Sequence, residues 1–252
     1  MDTPSTSAGI AFVCAMPIKL RPLVRKLSLR KARFGAVTVH EGTLEGRDVV
    51  AIVTGMGTAL ARDGISHLLD AVAVERVIVV GITGALEDVT PIGTLVVPEV
   101  VVDSATGSEH HPARLGAETP NGKMWTTDVL LTDLALLAQL RARDVISLDM
   151  ETAAIADVCE TRHIPWSVFR AISDRAIDGS VDEEVFRLSH QDGSPNGPAV
   201  ARYFLRHPGR LPRMARLAKG ARLASETAAV AAIRACSALG ATGEPGKPGG
   251  PA

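Results

Sequence analysis

SLDMETAAIADVCETRHIPWSVFRAISD, residues 147–174, carries the pattern that decides the fold. An apolar strand at 144–148 leads into Asp149-Met150-Glu151. A helix of small residues follows over 150–162, then a second apolar strand over 165–172 that runs into Ser173-Asp174. Strand, helix and strand joined by short links form the unit of an α/β sheet sandwiched by helices. Ligands of such sheets collect beyond the carboxyl ends of the strands. Asp149, Glu151 and Asp174 all fall at such junctions, where carboxylates are rarely needed for packing.

The same alternation runs outward in both directions. Residues 10–15, IAFVCA, read as a buried strand, and Pro17 opens a helix over 17–28 from the favoured first-turn position. Strands at 36–41 and 47–53 pair through a glycine-containing turn. TGMGT turns through Gly55 and Gly57 into a helix ending near Ala71, and VERVIVVG is a buried strand. GITGALEDVTPIG reads as a glycine-punctuated loop, and TLVVPEVVVD returns as one extended strand. Residues 104–123 read as a polar surface loop, MWTTDVLL as a short strand, and 132–143 as a helix. A polar loop over 179–198 precedes helices at 198–206 and 211–238. The expected architecture is a three-layer α/β/α sandwich around a central mixed sheet, one domain over 1–239 with a disordered tail over 240–252.

Composition narrows the function classes. Hydrophobic residues are 46% of the 252 and aromatic residues only 3%, so the core has to be aliphatic. The balance of 27 basic and 28 acidic residues leaves a net charge of −1, so no global field draws the chain to nucleic acid or membrane. Cys14, Cys159 and Cys236 stand far apart in sequence, which argues against a zinc site or a disulfide framework and for a cytoplasmic location. The N-terminus lacks a basic region ahead of a signal-like apolar run, and no apolar run reaches the roughly 20 residues of a membrane span. The reading is a cytoplasmic protein with no metal and no cofactor.

Each candidate residue has a bland reading beside its functional one. The glycine loops suit tight turns and match neither GxGxxG nor GxxxxGK[ST], which excludes a dinucleotide fingerprint or a P-loop. Asp174 fits a helix N-cap or a general acid at a strand end. Glu151 fits the positive end of a helix or an acceptor for hydroxyl groups. Arg170, inside an apolar strand, calls for a structural ion pair with Asp or Glu. His110 and His111 read as part of a solvated loop rather than a metal site. Arg210, Arg213, Arg216, Lys219 and Arg222 recur every three residues, so they wind around a solvated helix, with a nucleic-acid patch as the alternative.

The run 147–174 resembles the signature of the nucleoside phosphorylase and nucleosidase superfamily, which includes purine nucleoside and uridine phosphorylases and methylthioadenosine/S-adenosylhomocysteine nucleosidase. IAFVCAMPIKLRPLVRKL, LEGRDVVAIVTGMGTALA and VIVVGITGALEDVTPIGTLVVPEVVVD resemble the family's preceding segments in its order, over about 10–103 and 122–178. The resemblance implies that Met150 packs against a ribose and Glu151 holds its 2′- and 3′-hydroxyls. It implies that Asp174, preceded by Ser173, protonates a purine, and that Leu130 and Leu131 line the base pocket. Thr83 and Gly84 fall in the family's third glycine loop and are expected to contact substrate.

That assignment suits the chemistry. Breaking an N-glycosidic bond passes through a cationic, oxocarbenium-like sugar, and protonating the base makes it a better leaving group. Two departures bear on the acceptor. Lys19 stands where the nucleosidases place a water-activating Glu, and Ile82 stands where purine phosphorylases place a phosphate-binding hydroxyl. A cation at Lys19 is expected to bind phosphate, so the leading expectation is phosphorolysis of a purine-type or 5′-modified nucleoside. The alternatives are a hydrolytic nucleosidase and an inactive nucleoside-binding protein. The remaining expectations are a small nucleoside as partner and a homo-oligomer. Lys19 is expected to face the same pocket as Glu151, with Arg21 turned elsewhere.

Overall fold

Ile10, Ala11, Phe12 and Val13 are all fully buried, and they alternate between two different cores. Ala11 and Val13 pack on one face of the sheet, Ile10 and Phe12 on the other, as the period of two in a strand requires. A strand with helices on both faces has no polar side, which is why IAFVCA is continuously apolar. In the computed structural model, which describes residues 6–176, 184, 188, 190, 194 and 196–241, this strand is β1 (Thr6–Cys14).

The elements follow as α1 (Pro17–Lys26), β2 (Arg30–Phe34), β3 (Val37–Leu44), β4 (Arg47–Val53), α2 (Thr58–Ala71) and β5 (Val72–Ala85). Then come β6 (Leu95–Val96), β7 (Val100–Asp103), β8 (Glu109–His110), β9 (Lys123–Thr126), α3 (Leu134–Arg141) and β10 (Val145–Asp149). The last are α4 (Thr152–Thr161), β11 (Trp166–Arg175), α5 (Gly197–Arg206) and α6 (Leu211–Ala241).

The sheet runs β2-β3-β4-β1-β5-β10-β9-β7-β8, with β11 also pairing β5 and β6. β4, β1, β5 and β11 are parallel neighbours, so their carboxyl ends open on the same edge. β10 meets the far end of β5 antiparallel, Ser147 opposite Ala85 and Leu148 opposite Gly84. α2 and α4 cover one face, with Ile65, Leu68, Ile155 and Cys159 in its core. α1 and α6 cover the other, with Leu20, Leu23, Ala224, Ala228 and Ala232. The three-layer mixed sandwich is the architecture expected.

Several local expectations need correction. β5 continues through Gly81–Ala85, because pairing to both β11 and β10 holds as strand what the glycines suggest is loop. The extended strand over 94–103 is broken at Pro98 into β6 and β7. β2 (RKARF) is an edge strand whose polar side chains hide its pairing with β3. His110 is buried on β8, its Nδ1 lying 2.7 Å from Glu160 Oε2 of α4, rather than solvated. Most of the loop expected at 179–198, and the tail from 242, lie outside the described residues.

Candidate active site

A cavity of about 630 Å³ opens at the carboxyl edge of the sheet. All four strand-end loops that the sequence singles out reach it. Met56 comes from the turn after β4, and Ile82, Thr83 and Gly84 from the end of β5. Leu148–Glu151 come from the end of β10, and Ser173–Ala176 from the end of β11. Met16 to Lys19, at the start of α1, complete this side, and Leu130 and Leu131 border it from the loop after β9.

A buried charge cluster sits at its floor. Arg170, 1% exposed, donates through Nη2 to Asp149 Oδ2 at 2.6 Å, to Thr152 Oγ1 at 2.9 Å and to Glu151 Oε2 at 3.3 Å. Its Nη1 donates to the Ile82 carbonyl at 3.1 Å. Gly81 makes the space: a Cβ there would stand 2.8 Å from Arg170 Nη1 and 3.1 Å from Lys19 Cδ. Asp149 also accepts from Thr126 Oγ1 at 2.6 Å and from the Thr152 backbone N–H at 3.0 Å. Asp149 therefore caps α4 and balances Arg170, while Glu151 makes no side-chain cap. The ion pair expected of Arg170 is formed with both carboxylates.

Glu151 is left with its second oxygen toward the Gly57 N–H at 3.4 Å and with Lys19 Nζ at 4.0 Å. Lys19 is 5% exposed. Burial lowers its pKa from the ordinary lysine value of 10.5, and the Arg170 charge adds to that, while Glu151 and Asp149 oppose it. Lys19 thus faces the cavity as expected. Arg21 borders the cavity as well, contrary to the expectation that it turns away; it is exposed.

Asp174 lies within β11, one residue from the strand's end. It accepts a hydrogen bond from Ser173 Oγ, and a Cβ on Gly84 would stand 3.4 Å from its Oδ2. Thr83 Oγ1 is already donated to the Leu148 carbonyl at 2.7 Å.

The contribution of α6 is absent from the sequence-based expectations. Met214, Leu217, Ala218 and Ala221 line the cavity. Their spacing of i, i+3, i+4 and i+7 is one helix face, while Arg216, Lys219 and Arg222 lie on the exposed surface. The basic residues drew attention to the wrong face of this helix; the apolar spacing between them was the available signal.

The sequence profile of the phosphorylase superfamily matches this chain over residues 9–115 and 104–206. The 5′-methylthioadenosine/S-adenosylhomocysteine nucleosidase of Chromohalobacter salexigens is 28% identical over 198 residues, 66% of this chain and 84% of that protein. The nucleosidase of the same name from Maridesulfovibrio salexigens is 26% identical over 229 residues, 78% of this chain and 98% of its own. Among solved structures, the nucleosidase of that name from Neisseria meningitidis, in complex with methylthio-immucillin-A, superposes with a TM-score of 0.68 at 18% identity, covering 92% of this chain and 100% of that one. Futalosine hydrolase of Helicobacter pylori superposes with a TM-score of 0.69 at 15% identity, covering 93% and 98%. The chain belongs to the phosphorylase superfamily and is an enzyme of the nucleoside phosphorylase or nucleosidase type.

Proposed function

We propose that this enzyme hydrolyses the N-glycosidic bond of a purine-type nucleoside, including one modified at the 5′ position. One observation carries the reading: Glu151 from the end of β10 and Asp174 from the end of β11 line the same cavity. The relatives named as nucleosidases support water as the acceptor over the phosphate that Lys19 suggests on its own.

In this mechanism Met150 packs against the ribose, and Glu151, held by Arg170 and Gly57, accepts from its 2′- and 3′-hydroxyls. Those hydrogen bonds strengthen as the ring becomes cationic, so they act on the transition state more than on the bound substrate. Asp174, oriented by the Ser173 hydroxyl, gives its proton to the departing base. Leu130 and Leu131 offer an apolar surface to the base. The electron pair of the glycosidic bond leaves with the base, and a water oxygen adds to the anomeric carbon.

The test is product analysis of a panel containing adenosine, inosine and 5′-methylthioadenosine, with and without phosphate. Free base and free ribose or 5-methylthioribose, at a rate indifferent to phosphate, are the expected result. A second reading, phosphorolysis, is favoured by the Lys19 cation at the cavity, and a sugar 1-phosphate as product would select it.

A further inference from the structure

Lys19 is an unusual group to find beside a reaction that builds positive charge. Its ammonium carries three donors, yet among the described residues its one ionic neighbour is Glu151 at 4.0 Å, beyond hydrogen-bond distance. The two carboxylates of the cluster are engaged more closely by Arg170. An ammonium held at this floor would also repel the oxocarbenium-like sugar it faces.

A phosphate on Lys19 would approach the Glu151 carboxylate as a like charge. Of the side chains at the end of β5 and β11, Ile82 has no hydroxyl, Thr83 donates to the Leu148 carbonyl, and Ser173 donates to Asp174. Arg21 borders the same cavity from the exposed end of the α1 turn.

We propose that Lys19 is the general base of this site, acting as a neutral amine that takes the proton of the attacking water. The inference rests on the hydrolytic reading above. The atoms balance. The C1′–N bond breaks with its electrons on the base, which receives the Asp174 proton. The water oxygen bonds to C1′ and its proton goes to Lys19 Nζ. The cycle closes when the Lys19 proton returns through solvent to Asp174. The groups that face Nζ are Cys14 of β1, Asp149 of β10, Glu151 and Arg170 of β11; burial and Arg170 favour the neutral amine, and the two carboxylates and Cys14 oppose it. Removing Lys19 leaves Glu151 its hydrogen bond from Arg170 at 3.3 Å, so the carboxylate keeps a partner.

The experiment follows kcat/KM against pH for 5′-methylthioadenosine in phosphate-free buffer, for wild type, Lys19→Ala, Lys19→Met and Lys19→Arg, each checked for native far-UV circular dichroism. The wild-type rate should fall as pH drops through a lysine titration below 10.5. Lys19→Met should lose that limb and on the order of 10²–10⁴ in kcat, with KM changed only a few-fold. Lys19→Arg, a fixed cation, should be at least as slow. Ethylamine and its analogues should restore part of the Lys19→Ala rate in proportion to their free-amine fraction. Base release by Lys19→Met with the wild-type pH profile, or an active Lys19→Arg, overturns the role of Lys19 and leaves the hydrolase standing. A rate that requires phosphate, with sugar phosphate as product, overturns both, as does a wild type that releases no base at all.

Discussion

Arg170 donates to Asp149 across 2.6 Å, with both side chains about 1% exposed. Charges so deep in an aliphatic sheet are stable only as a set, and here the set includes Thr126, Thr152 and the Ile82 carbonyl. Removing one member leaves the other buried and unpaired, which costs about 3–5 kcal/mol. Arg170→Met should therefore lower the unfolding free energy by that amount, read as a lower urea midpoint at unchanged m-value. Arg170→Lys should recover little, because a point ammonium cannot span Asp149, Glu151 and the Ile82 carbonyl as the planar guanidinium does. An Arg170→Met protein as stable as wild type would mean the cluster is not a structural unit.

Glu151 sits at the boundary between that set and the cavity. Glu151→Gln keeps the shape but has one acceptor oxygen where Glu151 offers one to Gly57 and one to Arg170, and it gives the ribose hydroxyls a weaker acceptor. kcat should fall on the order of 10²–10³, the range for loss of one transition-state hydrogen-bonding group. Steady-state kinetics on adenosine, with near-UV circular dichroism to establish native packing, measures it. Undiminished turnover in the folded variant excludes the ribose role.

Asp174→Asn separates proton donation from binding. A purine nucleoside needs the proton and should slow by on the order of 10²–10⁴. A riboside whose leaving group departs unprotonated, such as 4-nitrophenyl riboside, should be largely spared. Equal losses on both substrates would make Asp174 a shaping residue of the cavity.

The parts of this molecule that read clearly in sequence are those where one physical demand acts alone. β1 is apolar throughout because both of its faces are covered, and Pro17 opens α1 because the first helical turn needs no N–H there. The gathering of the loops after β4, β5, β10 and β11 on one cavity follows from parallel pairing, which puts their ends on one edge. Where two demands compete, the reading fails. At Gly81–Ala85 the glycines speak for a loop, yet they are needed as strand so that Arg170 and Lys19 can lie against the backbone. Asp149 stands at a strand end where packing rarely needs a carboxylate, and its structural role is hidden because nothing local shows that Arg170, 21 positions on, turns back to it. On α6 the basic residues concealed a cavity-lining stripe; the two faces share one stretch of sequence.

The seat of that stripe is Gly220. It is buried, and a Cβ there would stand 2.7 Å from the Ser173 carbonyl oxygen and 3.2 Å from Ile92 Cγ2. The first neighbour is backbone of β11, next to Asp174, and cannot swing aside as a flexible side chain can. Gly220→Ala gains about 1 kcal/mol of helix propensity, against an overpacking cost of about 1–3 kcal/mol. The net should be a loss of about 0–2 kcal/mol by that difference, relieved by α6 moving outward. Leu217, Ala218 and Ala221 would move with it, so KM for the nucleoside should rise several-fold while chemistry at Asp174 persists. Gly220→Val, larger on the same spot, should exaggerate both effects. Gly209→Ala is the control, since no described residue lies within 4 Å of its Cβ position; its stability should stay within about 0.5 kcal/mol of wild type. Urea unfolding and KM on 5′-methylthioadenosine decide the matter. A Gly220→Ala enzyme that is more stable than wild type, with unchanged KM, would show that α6 is not held to the site by this contact.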